Sequence, residues 1–198
     1  STGIDDNATS TAITIDANET VSIGNTSPKT WNTYIPLQIG GIASLYSYTA
    51  TVGSDLNLAN NMYYNAGYKY IIGDEASLYT QLNGKHLFKV APSGTADTAI
   101  TWTTAMTINN SGDVYTGTSN LPANDNVAGC SLYRDGLFSA SRNGDVGSFN
   151  KIGAAGECVT FRNEANKVGS VSVTASAAAY NTSSDYRLKE LDVPMEGS

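Results

Sequence analysis

The residue types best suited to recognition chemistry cluster at Asn60, Asn61, Tyr63, Tyr64, Asn65, Tyr68 and Tyr70, the densest mixture of aromatic and amide side chains in the sequence. A sugar presents apolar C–H faces beside hydroxyls, and a tyrosine offers a flat apolar ring with a polar tip, so exposed Tyr next to Asn suits a glycan. Strands also favour Tyr for packing alone, and that use turns half of these rings toward a core. Cleavage chemistry is less well served. Glycan hydrolysis needs two carboxylates held in different protonation states, and although there are 18 Asp and Glu, the adjacent pairs Asp5-Asp6 and Asp74-Glu75 read as turn residues. The single histidine, His86, falls between Lys85 and Leu87 in an expected strand, with no Ser or Asp context that marks a triad. Cys130 and Cys158 lack a C-x-x-C spacing and enough companions for a metal site. They read as buried small hydrophobes of a chain folded in a reducing cytoplasm, with a disulfide between them as the alternative. Neither metal nor cofactor is expected.

A different chemistry is suggested near the end of the chain, where AYNTSSDYRLKELDVPM, from Ala179, turns a polar Gly- and Ser-rich sequence into a charged one. Leu188 and Leu191 have helical spacing, and Ser184 with Asp185 makes an N-cap pair able to accept orphan N–H groups of a first turn. A short C-terminal helix is expected to start there. One reading is an ordinary capped surface helix. However, Asn181 to Lys189, NTSSDYRLK, resembles the junction between a trimeric phage tail fibre or tailspike and its self-cleaving C-terminal intramolecular chaperone of the peptidase S74 type. Gly156 to Tyr180, GECVTFRNEANKVGSVSVTASAAAY, resembles the last β segment of such fibres. The resemblance implies that Ser184 is the nucleophile, Asp185 a motif neighbour, Lys189 the base and the Ser183–Ser184 bond the one cut. A hydroxyl attacks only when a neighbouring base takes its proton, and Lys serves as that base when burial or nearby charge lowers its pKa. Only Ser184 to Ser198 of the chaperone is present, so this activity is assigned to the complete precursor, and the fibre itself is not expected to be an enzyme.

The elements that must position these residues read as short strands. Only 15% of the 198 residues are charged, 12 are Tyr, and Gly, Ser, Thr, Asn and Ala dominate. Thin apolar stripes on many short strands suit an all-β, elongated assembly in which neighbouring copies of the chain supply the missing burial, and the resemblance implies that this assembly is an intertwined homotrimer. Ala12 to Ser27 aligns without gaps to Ala105 to Asn120, with Thr14, Ile15, Val21 and Gly24 matching Thr107, Ile108, Val114 and Gly117. Each copy reads as a hairpin with a turn of Asp, Asn, Ser and Gly types. Between the copies, SLYSYTATVG from Ser44 alternates as a strand, NMYYNAGYKYIIG from Asn61 reads as strand, turn, strand, and Lys85 to Val90 follows an Asn-Gly turn. Later, Arg142 to Ser148 is echoed by Arg162 to Ser170, which predicts a second hairpin pair.

The expected organisation is a shaft hairpin over 1–28, a Tyr-rich β module over 29–121 that closes with the second hairpin, a trimeric β-prism over 122–183, and the start of the chaperone over 184–198. The loop PANDNVAG follows Leu121. A net charge of -7 with 11 Lys and Arg disfavours nucleic acid and anionic membrane surfaces. No apolar run reaches the roughly 18 residues of a membrane-spanning helix. STGIDDNATST lacks Met and the basic and apolar regions of a signal peptide, so it reads as the start of a fragment. The resemblance implies a virion tail fibre assembled in the host cytoplasm, with other tail proteins and a host cell-surface receptor, a glycan or outer-membrane component, as partners. Two alternatives remain: a purely structural shaft or collar, and a surface-polysaccharide depolymerase. No long repetitive β-helix of the depolymerase kind is visible.

Overall fold

A computed structural model describes residues 11–48, 52–119 and 121–182. The chain is all-β, with a single helical turn among the described residues. It divides into two compact units, Ser1–Gly144 and Asp145–Ser198. The first unit contains strands β1 (Ile13–Ile15), β2 (Val21–Ile23), β3 (Ile35–Ile39), β4 (Ala43–Ser47), β5 (Asp55–Asn60), β6 (Met62–Tyr64), β7 (Tyr68–Tyr70), β8 (Ala76–Leu82), β9 (Lys85–Ala91), β10 (Thr103–Ile108), β11 (Val114–Thr116), β12 (Gly129–Leu132) and β13 (Phe138–Ser141). Eleven of these form one sheet in chain order, and β6 and β7 stand off it as a two-stranded ribbon. Pairing is antiparallel throughout the sheet except between β2 and β3.

The repeated hairpins form in the same register. Ile13, Thr14 and Ile15 face Ile23, Ser22 and Val21, while Met106, Thr107 and Ile108 face Thr116, Tyr115 and Val114. Both turns are closed by an Asx side chain competing locally for backbone donors. Asp16 Oδ1 accepts from the N–H groups of Asn18 (2.8 Å) and Thr20 (2.9 Å), and Asn109 Oδ1 accepts from those of Ser111 (2.9 Å) and Asp113 (3.0 Å). A third copy, β12–β13, escapes sequence comparison. Its Tyr133 and Gly136 N–H groups donate to Leu137 O (2.8 Å) and Tyr133 O (2.9 Å), the pattern that Asn109 and Gly112 make with Asp113 O and Asn109 O. Asp113 joins copies two and three, since its Oδ1 accepts from the Arg134 N–H at 3.1 Å. The sheet therefore runs on through the boundaries expected near Pro28 and Leu121, and the division falls after Gly144 instead. The loop after Leu121 contains one turn of helix, α1 (Pro122–Asp125), with Pro at its start and Asn126 at its end in the left-handed conformation.

Register fixes which side chains share a face. One face contains Ile13, Ile15, Ile23, Ile35, Ile39, Leu45, Leu56, Leu58, Phe88, Val90, Leu132 and Phe138. All are exposed, for example Ile15 at 71% and Leu58 at 58%. The opposite face holds Ser22, Gln38, Ser44, Asn57, Thr80, Ser131 and Ser139, all buried. The usual pattern is inverted because the aromatic layer lies on the polar side: the Trp31 ring is 4.9 Å from that of Tyr46, and the Lys29 N–H donates to Gln38 Oε1 at 3.1 Å. The core joins Trp31, Tyr46, Ala59, Met62, Tyr63, Tyr70, Ile71 and Leu78.

A close approach locks this layer. Gly94 lies against the Tyr70 ring, and a Cβ there would sit 2.2 Å from Cε2, while the Tyr70 hydroxyl donates to Pro92 O at 2.6 Å. The ring cannot withdraw without losing that bond. Gly94→Ala is expected to destabilise the first unit by about 1–3 kcal/mol through overpacking, measured by urea unfolding. A change within the error of the measurement would mean that the contact is loose.

The second unit contains β14 (Gly156–Asn163), β15 (Asn166–Val173) and β16 (Ala178–Thr182), an antiparallel three-stranded sheet. Glu164 and Ala165, both at positive φ (45° and 66°), make the two-residue turn that matches strand twist. The hairpin expected at Arg162 to Ser170 is present. Its expected twin at Arg142 to Ser148 is not, because residues 142–155 form no strand. Val159, Phe161, Val171, Val173 and Tyr180 share one face, and Tyr180 is 80% exposed. Ser170 is the one fully buried residue among those described in this unit. Cys130 and Cys158 are free and partly exposed, rather than buried as the sequence suggested, because each lies on a sheet with an uncovered face.

Candidate functional site

The Asn and Tyr residues singled out from the sequence do not form one exposed surface. Asn61, Tyr63 and Tyr70 are buried, which removes them as direct receptor contacts. Asn61 has φ 56°, and its amide is saturated: Nδ2 donates to Ile72 O (3.3 Å) and Glu75 O (3.0 Å), and Oδ1 accepts from the Ile72 N–H (2.9 Å). Asn60 is exposed but belongs to the apolar face, opposite Ala43 and Ser77. Tyr64, Asn65 and Tyr68 remain partly exposed at the β6–β7 turn. That turn is pinned to the preceding segment by Asn65 Nδ2 donating to Thr30 O (3.3 Å) and the Ala66 N–H donating to Asn32 Oδ1 (3.2 Å).

What the fold assembles instead is a row of rings from distant segments. Tyr48 lies 5.9 Å from Tyr34, Tyr34 lies 5.0 Å from Tyr64, Tyr64 lies 5.2 Å from Tyr68, and Tyr68 lies 6.1 Å from Trp102, each pair near perpendicular. Tyr46 and Trp31 anchor the row from below through Tyr34. Tyr34, Tyr48 and Trp102 complete a row that is exposed at Tyr48 and partly buried elsewhere, one that reading the sequence locally could not assemble, although their aromatic character was visible. Burial, followed by the mutual hydrogen bond, raises the Tyr34 pKa; burial raises that of Tyr68 as well, and both hydroxyls stay protonated. Burial also raises Tyr46, with smaller contributions from the neighbouring tyrosines and Asp55. Asp55 Oδ1, Asn57 Nδ2 and Trp102 Nε1 are buried polar atoms with no hydrogen-bond partner in the protein.

A charged knot ties the layer's edge. Asp97 Oδ1 accepts from Lys29 Nζ (2.6 Å) and from the Tyr63 hydroxyl (2.7 Å). Lys29, then Tyr63, hold the Asp97 carboxyl below the usual range. Burial, then the bond to Asp97, pushes Tyr63 up to about 12. A carboxylate with a depressed folded pKa contributes stability above its unfolded value, near ~3.9, and loses it as pH falls through the folded value. Tyr63 has the opposite sense, its contribution being lost as pH rises from about 10 to 12. Asp97→Asn is therefore expected to flatten part of the acid loss of thermal stability below pH ~4, measured by melting wild type and variant at a series of pH values. Identical acid slopes would contradict the knot.

The remaining candidates do not converge. The Asp74 carboxylate accepts from the Glu75 N–H (2.9 Å) on an exposed turn. His86 lies on the apolar face, where its Nδ1 is 2.5 Å from the Tyr79 hydroxyl. Among the described residues no group of three His, Cys, Asp or Glu could hold a metal ion, and no helix is long and apolar enough to cross a membrane. Ser183, Ser184, Asp185 and Lys189, the expected cleavage site, lie outside the described residues, as do Asp5 and Asp6. Comparison of the chain with protein-family models, with curated proteins and with solved structures finds no match.

Proposed function

We propose that this chain is part of a phage tail fibre or spike, an elongated homotrimeric β-fibre that attaches the virion to a host surface. The observation that supports it most is the uncovered apolar face of the eleven-stranded sheet. A dozen half-exposed Ile, Leu, Val and Phe side chains leave on the order of 1,000 Å² of apolar surface, more than the few hundred Å² a monomer normally exposes. That is also about what one partner contributes to a stable interface, ~800 Å². The second unit points the same way, because a three-stranded sheet needs a covered apolar face to be stable. Further copies of the chain supply that cover around one axis. In the complete precursor, cleavage before Ser184 by Ser184 and Lys189 releases the chaperone and leaves the trimer kinetically trapped. Attachment is then multivalent, three weak contacts adding through effective concentration.

The three copies of one hairpin favour a second reading, a structural shaft with recognition elsewhere in the parent chain. Sedimentation of the trimer with host envelope fractions separates the two: co-sedimentation supports attachment, and its absence leaves the shaft. Release of new reducing ends from host surface glycan would replace both with a depolymerase.

A further inference from the structure

We propose that the row Tyr48, Tyr34, Tyr64, Tyr68 and Trp102 is a binding site for a neutral oligosaccharide segment. This rests on the attachment reading above and names its ligand class. The rings follow one another every 5.0 to 6.1 Å, close to the length of one pyranose residue. Successive planes are near perpendicular, so ring faces and ring edges alternate along the row. Faces stack on sugar C–H groups, and the phenol tips supply hydrogen bonds to sugar hydroxyls. The hydroxyls of Tyr34 and Tyr68 are hydrogen-bonded to each other and held protonated by burial, so the pair keeps one proton to donate at any pH a host surface presents.

Three observations select a neutral glycan. The row lies on the face of the sheet that includes Tyr46 and Asn57, opposite the apolar face. Packing of the apolar faces therefore leaves the row outward on every chain. The charge that acts on Tyr34 and Tyr68 is the carboxylate of Asp55, itself attracted to Lys89, which disfavours a phosphate, sulfate or uronate. Asn57 is 1% exposed and on this face, and its Nδ2 has no protein partner, nor has Trp102 Nε1 at the end of the row. Two buried donors without protein acceptors, on the face of a mostly buried aromatic row that opens at Tyr48, suit a ligand hydroxyl or the water it retains. A protein partner would instead require a continuous apolar patch, which is found on the other face.

The test is an array of neutral hexose and 6-deoxyhexose oligosaccharides, with oligogalacturonate as the anionic control, probed with the intact protein. Binding is then followed through tryptophan fluorescence. Binding to a neutral oligomer that weakens at least tenfold in Tyr48→Ala and in Trp102→Ala, and is unchanged in Tyr180→Ala, is expected. Tyr48 is 50% exposed, so its replacement leaves folding intact. Absence of binding to every neutral oligomer, preference for oligogalacturonate, or binding indifferent to Tyr48 overturns the site. Oligomeric mass recorded on the same samples keeps the two readings apart. A trimer that binds no sugar loses the site alone, and a monomer that binds loses the fibre alone.

Discussion

Asn61→Ala is expected to lower the stability of the first unit by about 3–5 kcal/mol, the sum of a lost buried network and a strained backbone. Asn61 is 1% exposed and its φ is 56°. Its side chain satisfies the Ile72 N–H and O and the Glu75 O, while its own N–H donates to Ile42 O at 2.8 Å. One residue thus fastens the β6–β7 ribbon and the chain to β8 onto the sheet. Alanine removes three hydrogen bonds, each costing about 1 kcal/mol or more where the partner stays dry, and must also hold a left-handed backbone at about 1–2 kcal/mol. Asn61→Gly relieves only the second cost and should recover about 1 kcal/mol. Asn61→Asp should be no better than alanine, because it sets a carboxylate against two carbonyl oxygens. Denaturant unfolding of the three variants checks the order, and a loss for Asn61→Ala below ~1 kcal/mol would contradict the account.

Leu58→Ala discriminates more sharply than its exposure suggests. In a single chain the side chain is 58% exposed, and truncating an exposed residue changes stability by no more than ~0.5 kcal/mol. If the face is covered by other copies, the same change empties part of a packed core and costs about 2–5 kcal/mol per chain. Leu58 pairs with Leu45 on one side and Tyr79 on the other, in the middle of the apolar rows. Leu58→Arg should go further and dissociate the assembly, because a cation buried without a partner costs far more than a lost methylene. A small effect of Leu58→Ala, independent of protein concentration, would mean that water covers this face.

Much of the strand grammar was legible in the sequence, because turn chemistry is local. Asn83-Gly84, Asn65-Ala66-Gly67 and the two Asx turns at Asp16 and Asn109 all occur where their residue types require. The third hairpin was hidden because Tyr133 replaces the Asx residue, leaving Gly136 as the matching residue of its turn. Conversely, Arg142 to Ser148 resembled Arg162 to Ser170 but is two residues shorter, without counterparts to the Asn166 and Lys167 that pair back with Asn163 and Arg162. Alternation revealed two faces and not which would be covered. That was decided by Trp31, Tyr34 and the β6–β7 ribbon, which fold onto the polar side through contacts far apart in sequence. For the same reason Tyr63 and Tyr70 entered the core while Tyr64 and Tyr68 joined a partly buried row with Tyr34, Tyr48 and Trp102. Periodicity separates neighbours by face, and long-range packing then assigns each face its environment.

A native mass spectrum of the 198-residue chain tests the central claim most directly. The account predicts a species of three chains that persists on dilution, with no stable monomer, since the apolar face and the second unit both need cover from other copies. A monodisperse single chain, folded and soluble with that face open to water, would contradict it.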